Sequence, residues 1–467
     1  MPLLLIFAVL LAVALTGCST PFVEPEVEVA GRFAQADASL DEPEVAWWES
    51  YGDAVLSSLI RRAAQQNRDI KMAATRVRAA RAGETISRSR MLPNVGVTAA
   101  GNYQRTEYDA AAKQEVPDVK SLSGGIDVSW EIDLSGRLRS ATSAAAAEAL
   151  AAEHGERGVR LLVLTDVATN YFVLVGASRQ LETVRAIALA HDETLRLVTA
   201  RQRVGLATPF DVERAQTEAS RANAAIPPLE TLAAVARHRI AVLMGDQAFN
   251  AAFVVPSAVE LAAPPARPGQ PAALLERRPD LLVLKAQLDA ANWRRQEAKA
   301  EYFPRLFLSA VFGRQRLELN DFDLGATRFT NVSGLITMPI FNWGRTQAIN
   351  EIAEAGQQQS LLRLEDGIVR ALEDVENALV ALRDERQRAT LLQSAAASAE
   401  AALGRAQSLY GRGQIDLLPL LDAQRTRLAV QIGANDSSTQ LLLDSVQLYK
   451  ALGGGWQVFE PGQKEPS

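Results

Sequence analysis

The most chemically specific residue in the chain is Cys18, its only cysteine. It closes the run Leu15-Thr16-Gly17-Cys18, after an almost wholly apolar stretch from Pro2 to Gly17. An apolar core ending in small residues reads as a secretory signal. Small residues before a single Cys match the acylation box of bacterial lipoproteins. The expected chemistry is a covalent lipid on Cys18, an S-diacylglycerol and an N-palmitoyl group, and no other cofactor. One departure is that no Lys or Arg precedes the apolar stretch. A bare transmembrane anchor is the competing reading, but 17 residues are short for a span and lack a basic flank. Ser19, rather than Asp, follows the Cys, as in lipoproteins sorted to the outer membrane.

Other reactive chemistry is thin. A lone Cys excludes intrachain disulfides and Cys-rich metal sites. His154, His191 and His238 are scattered along helical sequence with no metal-ligand spacing and read as surface or packing residues. There is no phosphate loop, no GxSxG and no Gly-rich fingerprint after a strand. No enzyme is expected. A net charge of −6 argues against a nucleic-acid partner. After Gly17 no apolar stretch is long enough for a spanning helix, so a membrane crossing requires a β-barrel.

What positions the remaining candidates is an internal duplication. Gly136-Arg137 recurs 208 residues on as Gly344-Arg345, Ala215-Gln216 as Ala423-Gln424, and Leu243-Met244-Gly245 as Ala451-Leu452-Gly453. Met91-Leu92-Pro93 matches Tyr302-Phe303-Pro304 with a shift of 211. A repeat this long is a duplicated half-molecule rather than a solenoid. The expected organisation is a signal peptide (1–17), a lipid-anchored segment (18–52), a first repeat (53–245), an equatorial linker (246–271), a second repeat (272–453) and a tail (454–467). Pro256, Pro264, Pro265, Pro268 and Pro271 make the linker loop-rich.

Each half reads as a moderate helix (53–90, 272–301), two strands, a very long helix and a returning helix (209–245, 417–452). The strand segments are 92–106, 122–134, 304–318 and 328–342. Ile126, Val128, Trp130 and Ile132 alternate with Asp127, Ser129 and Glu131, a period of two. A soluble half-buried hairpin is the competing reading. The stretches from Ser140 to Arg203 and from Thr346 to Arg412 contain no Pro. Each spans roughly 95–100 Å at about 1.5 Å per residue. Leu361, Leu364, Ile368, Val375, Ala378 and Leu382 keep coiled-coil spacing.

Four strands cannot close a membrane barrel, since about eight is the smallest. Open edges cannot sit in lipid, because each unpaired backbone group costs several kcal/mol. The chain must therefore oligomerise. Three copies supply twelve strands, whereas two would leave little lumen.

Two turns join the long and returning helices. In the first, Gly205 ends a helix and Thr208, Pro209 and Asp211 form an N-cap, N1 and N3 set. In the second, Gly413 is the repeat equivalent of Gly205, and Asp416 is placed to cap the next helix. Arg203 and Arg412 answer helix dipoles. Asp422 follows Leu418 by four residues, so both lie on one helix face.

Taken together, Trp48, Asp53, Leu56, Leu59, Asn67 and Asp69, then Arg277-Arg278-Pro279-Asp280 and Phe303-Pro304, then Tyr410-Gly411-Arg412-Gly413 and Leu421-Asp422-Ala423-Gln424 resemble the TolC-like outer membrane factors. The resemblance is to their lipoprotein (OprM- or NodT-like) branch and runs from about residue 45 to 456. It implies an α+β membrane protein: a homotrimer with a twelve-stranded transmembrane β-barrel continued by a periplasmic α-helical coiled-coil barrel, with an equatorial belt. It implies the outer-membrane channel of a tripartite efflux pump, a passive gated duct for drugs or other small molecules. The implied partners are a periplasmic adaptor, an inner-membrane pump of the RND type and outer-membrane lipid. It further implies a gate with a constriction at Leu418 and Asp422 and a latch at Tyr410 and Asp211, with Asp416 counted in the same gate, and adaptor grooves at Gly205, Thr208 and Gly413. Relatives can carry a second acid where this chain has Pro419, which puts a double acid ring in doubt. The alternatives are a type I protein-secretion duct and a coiled-coil envelope lipoprotein that transports nothing.

Overall fold

The structure, a computed structural model, describes residues 22–26, 31–35, 42–105, 118–246, 262–319 and 322–460. Cys18 and the signal, the segment 106–117, most of the expected linker and the last residues of the tail lie outside them. In chain order the elements are α1 (Ala54–Gln66), α2 (Arg68–Ser89), β1 (Asn94–Gln104), β2 (Val119–Ile132), α3 (Arg137–Arg203), α4 (Pro209–Ala224), α5 (Ile226–Leu243), α6 (Leu274–Arg277), α7 (Pro279–Ala300), β3 (Arg305–Leu319), β4 (Phe322–Thr337), α8 (Arg345–Gly411) and α9 (Leu417–Ala451).

Capping side chains and prolines decide where helices stop. Asp53 Oδ1 accepts from the Val55 and Leu56 amides at 2.7 and 3.1 Å and starts α1. The single helix expected over 53–90 is in fact two. Asn67 turns extended, accepts from the Asp69 and Ile70 amides, and thereby caps α2. The helix expected over 272–301 breaks 211 residues later, at Arg278, because the residue before Pro279 is driven out of the helical region. The returning helix expected over 209–245 is also two, α4 and α5, parted at Ala225. Pro227 and Pro228 remove amide donors there. Their counterparts 208 residues on are Asn435 and Asp436, and α9 runs unbroken for 35 residues.

The long helices α3 and α8 have 67 residues each. Contrary to the sequence expectation, α3 contains an 18-residue window apolar enough to cross a membrane; 67% of it is buried inside the protein, which marks a packed core helix.

The chain divides into two compact units. One comprises Met1–Glu26, Arg76–Glu153 and Val283–Glu365 and holds the sheet. Its strands run β1-β2-β3-β4, all neighbours antiparallel. β2 begins at Val119 and β4 at Phe322, earlier than the sequence alternation indicates. β4 stops at Thr337, not 342, because Pro339 cannot donate to a ladder.

The other unit comprises Val27–Thr75, His154–Leu282 and Asp366–Ser467. Its main core gathers Trp47, Trp48, Leu56, Ile60, Tyr171, Phe172, Ile240 and Met244, all at most 1% exposed. Trp47 stacks on Tyr449 and donates to the Gly454 carbonyl at 3.3 Å. The tail residue Phe459 stacks on Trp48. Asp53 is double-purposed: its other oxygen accepts from the Tyr171 hydroxyl at 2.5 Å.

Candidate functional site: a helical tip and a barrel wall

The two helix–turn–helix ends close in the same way. Gly205 and Gly413 have φ of 77° and 73°, the left-handed conformation that a glycine adopts freely. The next amide reaches back to the helix: Leu206 N to Arg201 O and Gln414 N to Leu409 O, both 2.9 Å. Thr208 and Asp211 form a reciprocal capping box: Asp211 N donates to Thr208 Oγ1 at 3.2 Å, and Thr208 N to Asp211 Oδ2 at 2.9 Å. The bonds from Thr208 hold the Asp211 carboxyl below its ordinary value. Asp416 occupies the equivalent cap position, but its side chain makes no capping bond, contrary to the expectation from sequence.

Tyr410 is buried, packed with Val198, Ala215, Leu403, Leu417, Leu420 and Leu421. Arg201 lies over its ring at 4.3 Å and donates to its carbonyl at 3.1 Å. Among the described residues no bond joins the Tyr410 hydroxyl to Asp211; within one subunit Thr208 engages the Asp211 carboxyl and Arg201 covers the Tyr410 ring. Leu417, Leu420 and Leu421 turn one side of α9 inward, which leaves Leu418 and Asp422 exposed on another.

Sequence reasoning missed what stands behind Asp422. Arg425, one turn further along α9, bonds and ion-pairs with Glu218 of α4. The Glu218 side chain is 6% exposed, and Arg221 lies 3.8 Å away. Arg425 holds the Glu218 carboxyl below its ordinary value against the effect of burial. Buried His191 faces the same group, and burial lowers its pKa. Gln424 donates to Thr194 at 2.9 Å. An available signal was a Glu in the otherwise small seam of Ala215, Ala219 and Ala222. Among the described residues no group of three His, Cys, Asp or Glu could hold a metal ion.

The sheet has two chemically distinct faces. In register, one face carries Val95 and Val97 of β1, Leu122, Ile126, Val128 and Trp130 of β2, Leu306, Leu308 and Phe312 of β3, and Val332 and Ile336 of β4. The other mixes Asn94, Thr98, Ser121, Ser123, Asp127, Glu131, Ser309, Gln315, Asn331 and Ser333 with the apolar Phe307, Val311, Leu317, Phe329 and Leu335. Val97, Ile126 and Val332 are 84, 50 and 71% exposed. An exposed apolar face backed by a more polar one is the pattern of a barrel wall between lipid and lumen. Just past β4, Met338, Ile340, Phe341 and Trp343 are exposed as well, with Phe341 and Trp343 in ring contact. Aromatic residues at that height fit a membrane-interface girdle.

The comparisons agree with this geometry. The family described as "Outer membrane efflux protein" matches twice, over residues 59–246 and 271–454, one match per repeat. Outer membrane protein OprJ of Pseudomonas aeruginosa is 31% identical over 456 residues, covering 96% of this chain and 95% of its own. Cation efflux system protein CusC of Escherichia coli O6:H1 is 29% identical over 456 residues, covering 96% and 97%. The solved structure of the outer-membrane channel OprN superposes with a TM-score of 0.86 at 27% identity, covering 94% of this chain and all of that one. Such structures are trimers in which each chain gives four strands to one barrel and helices to another. The chain therefore belongs to the outer membrane efflux protein family, as the TolC-like outer-membrane channel of a tripartite efflux pump that reaches from the outer membrane into the periplasm.

Proposed function

We propose that the trimer is a passive exit duct for small solutes, gated at its periplasmic tip and tethered by a lipid on Cys18. The observation that carries the reading is the exposed Leu418–Asp422 face of α9, beside the turns at Gly205 and Gly413. Around a threefold axis each residue on this face occurs three times. An Asp422 ring favours cations and repels itself, so the closed tip must be held by other contacts. Tyr410 and Asp211 belong to the latch between neighbouring helices, Asp211 already being fixed by Thr208, and Asp416 lies in the same gate. The grooves beside Gly205, Thr208 and Gly413 receive the hairpin tip of a periplasmic adaptor, and an RND-type pump supplies both energy and selectivity. The duct itself catalyses nothing.

Small-solute efflux is favoured over protein secretion by the relatives, one of which is named for cation efflux. The envelope-scaffold alternative needs no strands, whereas the chain has a four-stranded sheet with an apolar face. The test is a cell lacking its own outer-membrane ducts that carries an adaptor, an RND pump and this chain. It should retain less of a fluorescent pump substrate than the same cell without this chain. Equal retention, with the trimer present in the outer membrane, would refute the reading.

A further inference from the structure

The barrel wall carries unanswered cations where an isolated sheet should avoid them. Arg314 of β3 and Arg328 of β4 are direct cross-strand partners. Both are exposed on the apolar face, two residues beyond Phe312 and before Thr330 respectively. Like charges directly opposite destabilise a strand pair. Among the described residues neither guanidinium has an ion pair or hydrogen bond. Their neighbours differ. Arg316 pairs with Asp323, and Lys120 lies 3.2 Å from Glu318. Acids thus answer the cations nearer the strand ends, and among the described residues of the strands the inner pair is left without one.

Depth gives the pair a meaning. Below it on the same face, Leu306, Leu308, Ala310, Phe312, Val332 and Ile336 carry no charge. From Leu306 to Arg314 the strand rises about 27 Å at ~3.4 Å per residue, or roughly 20 Å of height at a ~40° tilt. The apolar band of an outer-membrane barrel is about 25 Å tall, so the pair stands at its rim. The connections between paired strands leave the sheet at this end and the helices leave at the other, so the rim is the extracellular one. That orientation rests on the channel reading. Beside Arg314 on β2 is Gly124, and beyond it on β1 is Ala99. A Cβ at Gly124 would meet only the Thr98 carbonyl, at 3.9 Å. The two guanidinium groups therefore border an open shelf with a floor of backbone and one methyl group.

We propose that Arg314 and Arg328 bind the phosphate of an anionic lipid headgroup in the outer leaflet, one site per subunit. A guanidinium fork matches phosphate oxygens bidentately, and a phosphate between the two cations cancels their repulsion. The acyl chains then lie against Phe312, Ala310 and Val332. A lipid is favoured over a soluble anion because the apolar band begins immediately below the pair.

The test uses full-length trimers in phosphatidylethanolamine nanodiscs doped with lipid A or with its dephosphorylated form. Retained lipid is counted by native mass spectrometry. Wild type should retain lipid A and lose roughly tenfold in retention when the phosphates are removed, equivalent to about 1.4 kcal/mol. Arg314→Gln/Arg328→Gln should lose lipid A to a similar degree, whereas Arg316→Gln, whose charge Asp323 already answers, should retain it. In dephosphorylated lipid the double variant should be at least as heat-stable as wild type, since repulsion has been removed. Equal retention of the two lipids by wild type, or equal retention of lipid A by wild type and double variant, would overturn the proposal. If the variant fails to assemble, the wild-type comparison decides alone. Conductance of the wild-type pore in the same nanodisc lipids separates this failure from a failure of the channel reading.

Discussion

Replacing Glu218 by Gln should loosen the tip. The substitution keeps the shape of the side chain and removes the charge that holds Arg425, one turn from Asp422 on the exposed side of α9. Were both partners buried, losing one would cost ~3–5 kcal/mol; were both exposed, ~0–1 kcal/mol. Here Glu218 is 6% exposed and Arg425 45%, so Arg425 can turn its guanidinium to water and to Asp422. The cost falls between these limits, at about 1–2 kcal/mol. If the pair is made only in the closed tip, that shifts the open-to-closed ratio by roughly 5- to 30-fold. The assay is open probability of purified trimers in planar bilayers at neutral pH. Arg425→Gln should act in the same direction, and the double variant should fall short of the sum of the singles. The pH dependence has a definite sign. The Glu218 carboxyl is depressed, chiefly by its hydrogen bond from Arg425, so the contribution of the pair is complete above the ordinary Glu value of 4.5. It is lost as pH falls through the lower folded value. Wild type should therefore open on strong acidification, and burial of nearby His191 lowers its pKa and so moves its protonation toward acid as well. Unchanged gating in Glu218→Gln, or strictly additive singles, would refute the coupling.

Three further outcomes follow from the same structure. Asp422→Ala should reduce cation preference and change single-channel conductance; identical reversal potentials and conductance would remove Asp422 from the constriction. Asp53→Ala removes a helix cap and leaves the Tyr171 hydroxyl, which burial pushes above its usual range, without its acceptor. The loss should be roughly 2–4 kcal/mol, read as a thermal midpoint several degrees lower in detergent; an unchanged midpoint would contradict the double role. Cys18→Ser should yield a mature chain without acyl mass that still assembles trimers, and a wild-type mature chain without lipid would refute the anchor.

The long helices were legible because nothing competes with helix over stretches free of Pro and rich in Ala and Leu. The breaks were not read from the sequence, although proline marks several of them. Pro279, the Pro227-Pro228 pair and Pro339 announce where a helix or ladder must fail, and they account for Arg278, Ala225 and the early end of β4. Asn67 gave no such warning, because a cap inside helical sequence depends on where Leu243 lies to accept from its amide. Alternation marked the lipid face of β2, yet Arg314 and Arg328 face each other only through the register of β3 and β4. At the tip, the capping box was readable from Thr208 and Asp211 because it is local. Asp416 shows the limit of that logic, since the same cap position, 208 residues on, holds a side chain that makes no capping bond. The Glu218–Arg425 pair joins residues 207 positions apart and follows from packing alone.

One chain carries too few strands to satisfy its backbone in hydrocarbon, so the pore exists only as an assembly of three. The direct measurement is the subunit count, by native mass spectrometry, of the same particles that conduct in a bilayer. Three chains per conducting particle, with none smaller that conducts, is the expected result. A conducting monomer or dimer would contradict it.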